Sequence, residues 1–489
     1  MAKFFGRGRG LEYLSQQQVL DWHQHALQLL STVGAQVTWE PALKLLVEAG
    51  CDVNKSTCLV RMPAHLVEQA IRLAPGRFRL GGRDPATDVI VGGLEVHTTG
   101  SGNCVNVIDL ESGEHRPGTF RDLQDMVRLQ DALDNLETCQ NPITPQDLPR
   151  PGLYVKAFEG MVRNTGKHLI NQAESGEEVN DHVDILAAAV GSREEVLRRK
   201  LVSFVCCFKS PFTYGEENLR VLFECARLGL PLLIETDPIS GATAPVTLAG
   251  LLVQQAAELL FGIALAQLVS PGAPVFFANA PTVMDMRSGV VSEGSPERCL
   301  YYIYCAQLCR HYDIPSCGVP GTSDSKQNDL QSGIERTATL MTSALAGYNL
   351  LYSAAGTINS VLTSSLEGIV VDDELYSYVR RVLRGIDFSS EKIDSSLEAI
   401  ARVAHSGKSF LTDKHTRDNL RAEHWLPTIM DRRTYEVFEA SDQKGILDFA
   451  RAKARKILAD HQPLALAAGA DKAIEAVVER AARRAENRG

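Results

Sequence analysis

Seven short apolar runs constrain the fold of this chain more than any other feature. They fall at 136–144 (LETCQNPIT), 168–174 (HLINQAE), 202–208 (VSFVCCF), 231–237 (PLLIETD), 274–280 (PVFFANA), 314–320 (IPSCGVP) and 349–355 (NLLYSAA). Stretches with apolar residues at helical spacing separate them, at 151–165, 176–190, 215–229, 246–269, 295–311 and 327–347. Strand and helix alternating in unbroken order build a parallel sheet. Runs that are apolar on both faces need cover on both sides. The sequence therefore predicts an α/β fold, a (β/α)8 TIM barrel. The unit count approaches eight, and no glycine-rich dinucleotide fingerprint follows the first strand. KSFLTD (408–413), after a long helical stretch at 367–405, is the candidate eighth strand.

The flanks read differently. Residues 11–75 carry helical patterns, with Leu20, His23, Leu27, Leu30 and Val33 at a 3.6 period and Pro41 and Pro63 early in two further runs. From 77 to 117 short strands are broken by glycine turns. The expected divisions are an N-terminal unit of helices and a small β element at 1–119, a barrel at 120–413 and a helical extension at 414–489.

Net charge is −10 with no basic stripe, which argues against a nucleic-acid partner. The apolar segment 247–269 contains Gln254, Gln255, Glu258 and Gln267, so it reads as a buried helix and no membrane span is expected. Eleven cysteines without a framework spacing read as reduced thiols, and the N-terminus shows no apolar signal segment; both readings point to the cytoplasm. Cys305 and Cys309 share a helical face, but no CxxC or HxxxH pair accompanies them, so no metal site is expected. Walker, GxSxG and HExxH motifs are absent.

In a barrel of this kind the loops after the strands build the active site. The strand ends would gather Asn141, Asn171, Gln172, Phe208, Phe212, Tyr214, Glu235, Asp237, Asn279, Tyr352 and Ser353 at one mouth, together with the turn GTSDSKQND at 321–329. Each has a plainer reading. Asp324 reads equally as a cap for the helix beginning near 327. Lys326 reads as a solvated loop lysine, Glu235 and Asp237 as turn caps, and the phenylalanines as core.

Several stretches resemble one family. RPGTFRDLQDMVRLQDAL (116–133), GLPLLIETDPISGATAPVTLAG (229–250), VMDMRSG (283–289), GTSDSKQNDLQSG (321–333), LEGIVVDDELYSYVRRVLRGI (366–386) and HWLPTIMDRRTYEVF (424–438) are similar to the trimethylamine methyltransferase (MttB) family. The resemblance covers about 11 to 460. It implies a (β/α)8 methyltransferase that moves a methyl group from a methylated amine to cob(I)alamin. That cofactor is not bound tightly by the chain but is supplied by a separate small corrinoid protein, and no cobalamin-binding DxHxxG-type sequence occurs here. The founding member carries pyrrolysine at a barrel end, whereas this sequence shows only standard residues, with Lys326 in that neighbourhood. ETDPIS (235–240) is also more acidic than the family's stretch there.

The branch without pyrrolysine resembles the glycine betaine methyltransferases, which implies a quaternary amine as donor. A quaternary cation makes no hydrogen bonds and is held by aromatic faces and carboxylate charge. Asp324 and Lys326 are the expected catalytic pair. Asn171, Gln172, Glu235, Asn279, Tyr352 and Ser353 are expected to bind the substrate, with Phe212, Tyr214 and Phe277 as its cage. A homo-oligomer is expected. Trimethylamine or another methyl donor is the alternative within the fold, and a non-catalytic betaine-binding protein is the alternative of another class.

Overall fold

A computed structural model describes residues 5–487. Its centre is a ring of eight parallel strands, each followed by a helix. In chain order these are β1 (Glu95–Thr98), α1 (Phe120–Ala132), β2 (Thr138–Gln140), α2 (Leu153–Asn164), β3 (His168–Asn171), α3 (Gly176–Val190), β4 (Val202–Phe208) and α4 (Glu216–Leu228). They continue with β5 (Leu232–Thr236), α5 (Leu248–Val269), β6 (Val275–Asn279), α6 (Pro296–Tyr312), β7 (Ser316–Gly318), α7 (Leu330–Ala346), β8 (Leu350–Leu351) and α8 (Leu366–Arg384). Hydrogen-bonded pairing runs from β2 round to β8 and on to β1. The last seam closes where Glu137 N donates to Thr98 O at 3.1 Å. Beside it, the buried His97 Nδ1 meets Glu137 at 2.9 Å.

The eighth strand is therefore Glu95–Thr98, parallel to β8 with Leu350 opposite His97, and not 408–413. KSFLTD holds a 3-10 turn at Phe410–Thr412, and Leu411 is 88% exposed. Its two apolar residues find no sheet to cover them, so a barrel strand cannot form there. The barrel accordingly begins at Glu95 and ends at Arg384 rather than spanning 120–413. β1 lies within the short strands broken by glycine turns and is also one arm of a hairpin: Gly92 pairs with Glu95 in an antiparallel turn that leads out of the preceding strands.

Strand alternation divides the core into two layers. Inside the ring, Ile170, Val205, Leu233, Phe276, Cys317 and Leu350 pack against Phe78, Leu80, Val89 and Val91. Those four belong to the antiparallel hairpin Arg77–Leu80 with Val89–Gly92. It plugs the end of the barrel where the strands begin, since Phe78 stacks edge-on against Phe276 at 5.0 Å and Gly81 O meets His168 Nδ1 at 3.1 Å. Outside the ring, Leu169, Phe204, Leu232, Ile234 and Phe277 face the helices. With one end plugged, the opposite mouth is the end left for chemistry.

The segment 247–269 forms α5 and is nearly all buried. It is apolar on every side because the helices Gln16–Thr32 and Ala64–Leu73 cover what the barrel does not. Trp22 Nε1 donates to Leu252 O at 3.1 Å in that layer. At the C-terminus, helix Ile446–Asp460 packs on α8 and α1, and helix Ala470–Glu486 on α3 and α2.

Candidate active site

At the open end of the ring the strand ends and following loops enclose a cavity of about 350 Å3. Glu235 comes from β5, and Asp237 lies two residues further on. Gln172 follows β3, Tyr352 and Ser353 follow β8, and Gly102 and Asn103 follow β1. Strand parity decides which side chains arrive. Leu233 faces inward on β5, so Glu235 does too. Cys207 and Ala278 lie opposite Glu235 on the neighbouring strands.

A third acid and, among the described residues, the one cation lining the cavity come from the same connection. After β6 the chain forms a rim hairpin, Thr282–Asp285 paired with Val290–Ser292, beside Ile239–Ser240. The hairpin ends at Glu293, five residues before Arg298 in the first turn of α6. Arg298 forms an ion pair with Glu293. Its remaining donors go to Tyr302 Oη at 2.7 Å and Val319 O at 2.8 Å. Arg298 is thereby committed; it acts on Asp237 through its charge without forming an ion pair with it.

Glu235 is only 6% exposed, and its Oε2 has no hydrogen-bond partner. Burial, followed by the charge of Asp237, pushes its carboxyl well above the ordinary range. Asp237 keeps its surface open to the cavity, yet the protein crowding round it and then the charge of Glu293 push its carboxyl up to about 6. Burial and then Asp324 raise Glu293 as well, against the pull of Arg298. The Glu293–Arg298 pair is neutral overall, so the cavity's net charge comes from Asp237, which ionises as pH rises through about 6, and from Glu235, whose ionisation burial disfavours. Cys207 donates its thiol to Asp237 Oδ2 at 3.5 Å and, raised by burial, stays protonated.

The mouth also holds its backbone in costly conformations. Asn103, Ser353, Ser360 and Val361 line the cavity at φ 48°, 54°, 50° and 69°. Left-handed backbone costs a non-glycine residue about 1–2 kcal/mol, most for a β-branched one such as Val361. Hydrogen bonds between loops hold it there. Ser353 N donates to Gln140 Oε1 at 3.0 Å, and Ser360 N to Ser323 O at 3.0 Å. Gly102 permits the closest approach, because a Cβ there would lie 2.3 Å from Ser353 Oγ. Such strain gathers where a site has to be preformed.

Of the expected site residues, Gln172, Glu235, Tyr352 and Ser353 lie together on this cavity's wall. Others do not, and parity is the reason. Ile170 points inward, so Asn171 points outward, with Nδ2 3.4 Å from His182 Nε2. Phe276 and Ala278 point inward, so Phe277 packs near Tyr312 and Asn279 Nδ2 bonds back to Phe277 O at 3.0 Å. Phe212 and Tyr214 are drawn outward by a strand pair, Thr213–Tyr214 beside Ala35–Val37. Glu258 of α5 holds that loop, accepting Phe212 N at 3.0 Å. Phe208 goes with them, stacked on Tyr214 at 4.6 Å. No aromatic cage forms from Phe212, Tyr214 and Phe277.

The turn at 321–329 also has a different use from the expected one. Asp324 is a clamp: its carboxylate accepts Ser292 Oγ, Glu293 N, Gly294 N and Ser360 Oγ at 2.8, 2.8, 3.0 and 2.9 Å. It therefore positions Glu293 and the strained loop but does not line the cavity. Lys326 is exposed, with Nζ donating to Asp324 O at 2.6 Å. The cap of α7 is Asp329, accepting Ser332 N at 2.9 Å. Asp324→Asn replaces an acceptor with a donor facing N–H groups. It is expected to cost about 1–3 kcal/mol in stability and to lower turnover, read by urea unfolding and steady-state kinetics. Lys326→Met is expected to leave both within error.

The residues missed from sequence are Glu293, Arg298, Thr282 and Asn103. Only the first two left a trace, the segment EGSPER (293–298), where an acid and an arginine flank a Ser-Pro helix start in a strand-to-helix loop. Among the described residues, no three His, Cys, Asp or Glu side chains are spaced to hold a metal ion.

Comparison with known proteins agrees with this geometry. The family described as trimethylamine methyltransferase (MTTB) matches residues 4–487. The chain is 32% identical to a trimethylamine methyltransferase MttB of Desulfitobacterium hafniense, over 96% of this chain and 94% of that relative. It is 31% identical to a glycine betaine methyltransferase of the same species, over 95% and 96%. With MttB of Methanosarcina barkeri it shares 33% identity over 94% and 93%. The solved monomethylamine methyltransferase MtmB of Methanosarcina barkeri superposes with a TM-score of 0.51 at 15% identity, covering 92% of this chain and 96% of that one, a likeness of fold. On the extent of the family match and the identity of these relatives, the chain belongs to the trimethylamine methyltransferase family and is an amine methyltransferase.

Proposed function

We propose that the protein transfers a methyl group from a quaternary amine to cob(I)alamin carried by a separate small corrinoid protein. The observation that carries this reading is the buried carboxyl of Glu235, its Oε2 without a partner, beside Asp237, in a cavity where the lining cation Arg298 is already paired. Such a space favours a ligand of single positive charge. The sequence relatives are named for two methylated amines, trimethylamine and glycine betaine. Trimethylamine is a cation only while protonated, and would need a step that keeps a proton or another electrophile on its nitrogen. Lys326, the residue expected to stand near the electrophile of the founding enzyme, faces solvent. A quaternary donor needs no such step.

The corrinoid enters as the acceptor substrate. Its Co(I) electron pair forms the cobalt–carbon bond as the carbon–nitrogen bond breaks; the bonding pair stays on nitrogen, which leaves as a neutral tertiary amine without taking a proton. The chain's own residues bind and orient the donor. Asp237 supplies the counter-charge, Tyr352 an aromatic face, and the strained loops a fixed shape. Eleven free thiols agree with a cytoplasmic setting.

The test mixes this protein, a corrinoid protein in the Co(I) state and a panel of quaternary amines. Conversion of the Co(I) absorbance to that of methyl-Co(III) with at least one of them is expected. Saturable amine binding with no conversion across the panel would sink the reading. The rate at limiting amine is expected to rise with pH through about 6, because Asp237 ionises there.

A further inference from the structure

Three buried polar atoms on the cavity wall lack a partner: Glu235 Oε2, Asn103 Oδ1 and Thr282 Oγ1. A buried polar group left unpaired is unfavourable, so those gathered on one cavity wall point to what a ligand there supplies. Asn103 Oδ1 is an acceptor and asks for a donor. A carboxylate offers acceptors only.

The charges point the same way. A substrate carboxylate would need a cation, and Arg298 is already committed to Glu293, Tyr302 and Val319. Lys326 lies outside, turned to its own loop. A carboxylate tail would instead meet Glu235, Asp237 and Glu293. Cys207, whose thiol meets Asp237 of this cavity, lines a neighbouring hollow of about 870 Å3. It is lined by Glu174, Glu177, Glu216 and Glu217 against Lys209 and Arg220, so an approaching cation is favoured and an approaching anion repelled.

We infer that the donor recognised here is a quaternary ammonium whose tail carries a hydroxyl-type hydrogen-bond donor, and that zwitterions ending in a carboxylate are rejected. This rests on the quaternary-amine reading above and narrows it. The ammonium lies against Asp237 and Tyr352, and the tail satisfies Asn103 and Thr282.

Choline and glycine betaine are near-isosteric probes that differ only in that tail, and tetramethylammonium lacks it. Titration calorimetry of the full chain at pH 7.5 requires no corrinoid. Choline is expected to bind at least ten-fold tighter than glycine betaine and measurably tighter than tetramethylammonium. Glycine betaine binding as tightly as choline, or no choline binding, overturns the inference. Thr282→Val, which keeps shape and removes the hydroxyl, is expected to narrow the choline-to-tetramethylammonium ratio; an unchanged ratio overturns the tail contact. Glycine betaine driving methyl-Co(III) formation would refute this narrowing and leave the quaternary-amine function standing. Choline binding with no amine methylating the corrinoid would do the reverse.

Discussion

Asp237→Asn is expected to lower kcat/KM for methyl transfer by about 10²-fold. This carboxylate supplies the cavity's counter-charge, since Glu293 is paired with Arg298 and burial raises the Glu235 carboxyl well above the ordinary range. A unit charge about 5 Å from a cation at an effective dielectric near 20 contributes roughly 3 kcal/mol, or about two decades in rate. The wild-type rate at limiting amine should rise through about pH 6 and the variant's should not. The stability effect has the opposite sign. The folded carboxyl is raised above its unfolded value of about 3.9. Its contribution is fully present below that value and is lost as pH rises through about 6. The amide variant should therefore be at least as stable as wild type at pH 8 while far less active. Equal kcat/KM in the two proteins at pH 7.5 would remove Asp237 from substrate binding.

The largest stability loss is expected at a different pair of charges. Arg336 of α7 and Asp372 of α8 are 2% and 1% exposed at the side chain and meet at 3.1 Å. Asp372 Oδ2 accepts Gly356 N at 2.6 Å, and Arg336 Nη2 donates to Asn328 Oδ1 at 2.9 Å. Arg336→Met leaves a buried carboxylate uncompensated and is expected to cost about 3–5 kcal/mol, measured from the urea midpoint. Burial already raises the Asp372 carboxyl against the pull of Arg336. Without the arginine it rises further, so the deficit should be larger at pH 8 than at pH 5. Arg336→Met with Asp372→Asn should recover most of the loss, because the amide oxygen still accepts Gly356 N. Activity should follow stability, since Gly356 anchors the loop that carries Ser353, Ser360 and Val361. A single variant within 1 kcal/mol of wild type would show that the pair is not buried.

The positions of the seven runs were legible because each is a continuous apolar segment between helical patterns, a one-dimensional signal. β1 was not, because Glu95–Thr98 is short, has Val96 as its one apolar residue and is joined to a hairpin by glycines. Its place in the ring depends on pairing with a strand 250 residues away. The site divided along the same line. Glu235, Tyr352 and Ser353 could be placed from being at or just past strand ends. Asn171, Phe277 and Asn279 were placed at the same level on the wrong face. A strand apolar on both faces carries no alternation from which to read its inward side, and a shift of one residue exchanges the two.

Order along the chain, the parallel barrel and the end that bears the loops follow from local apolar periodicity, which is written into consecutive residues. Membership of the family also rests on consecutive motifs. The tertiary structure alone decided which parity faces the lumen, that Arg298 is consumed by Glu293, that Asp324 clamps a loop, and that Glu235 keeps an unpartnered oxygen. All but the Glu293–Arg298 pair, which lies within one short segment, depend on distances between segments far apart in sequence. Charge compensation is set by what lies within a few ångströms in space, and no spacing along the chain encodes it.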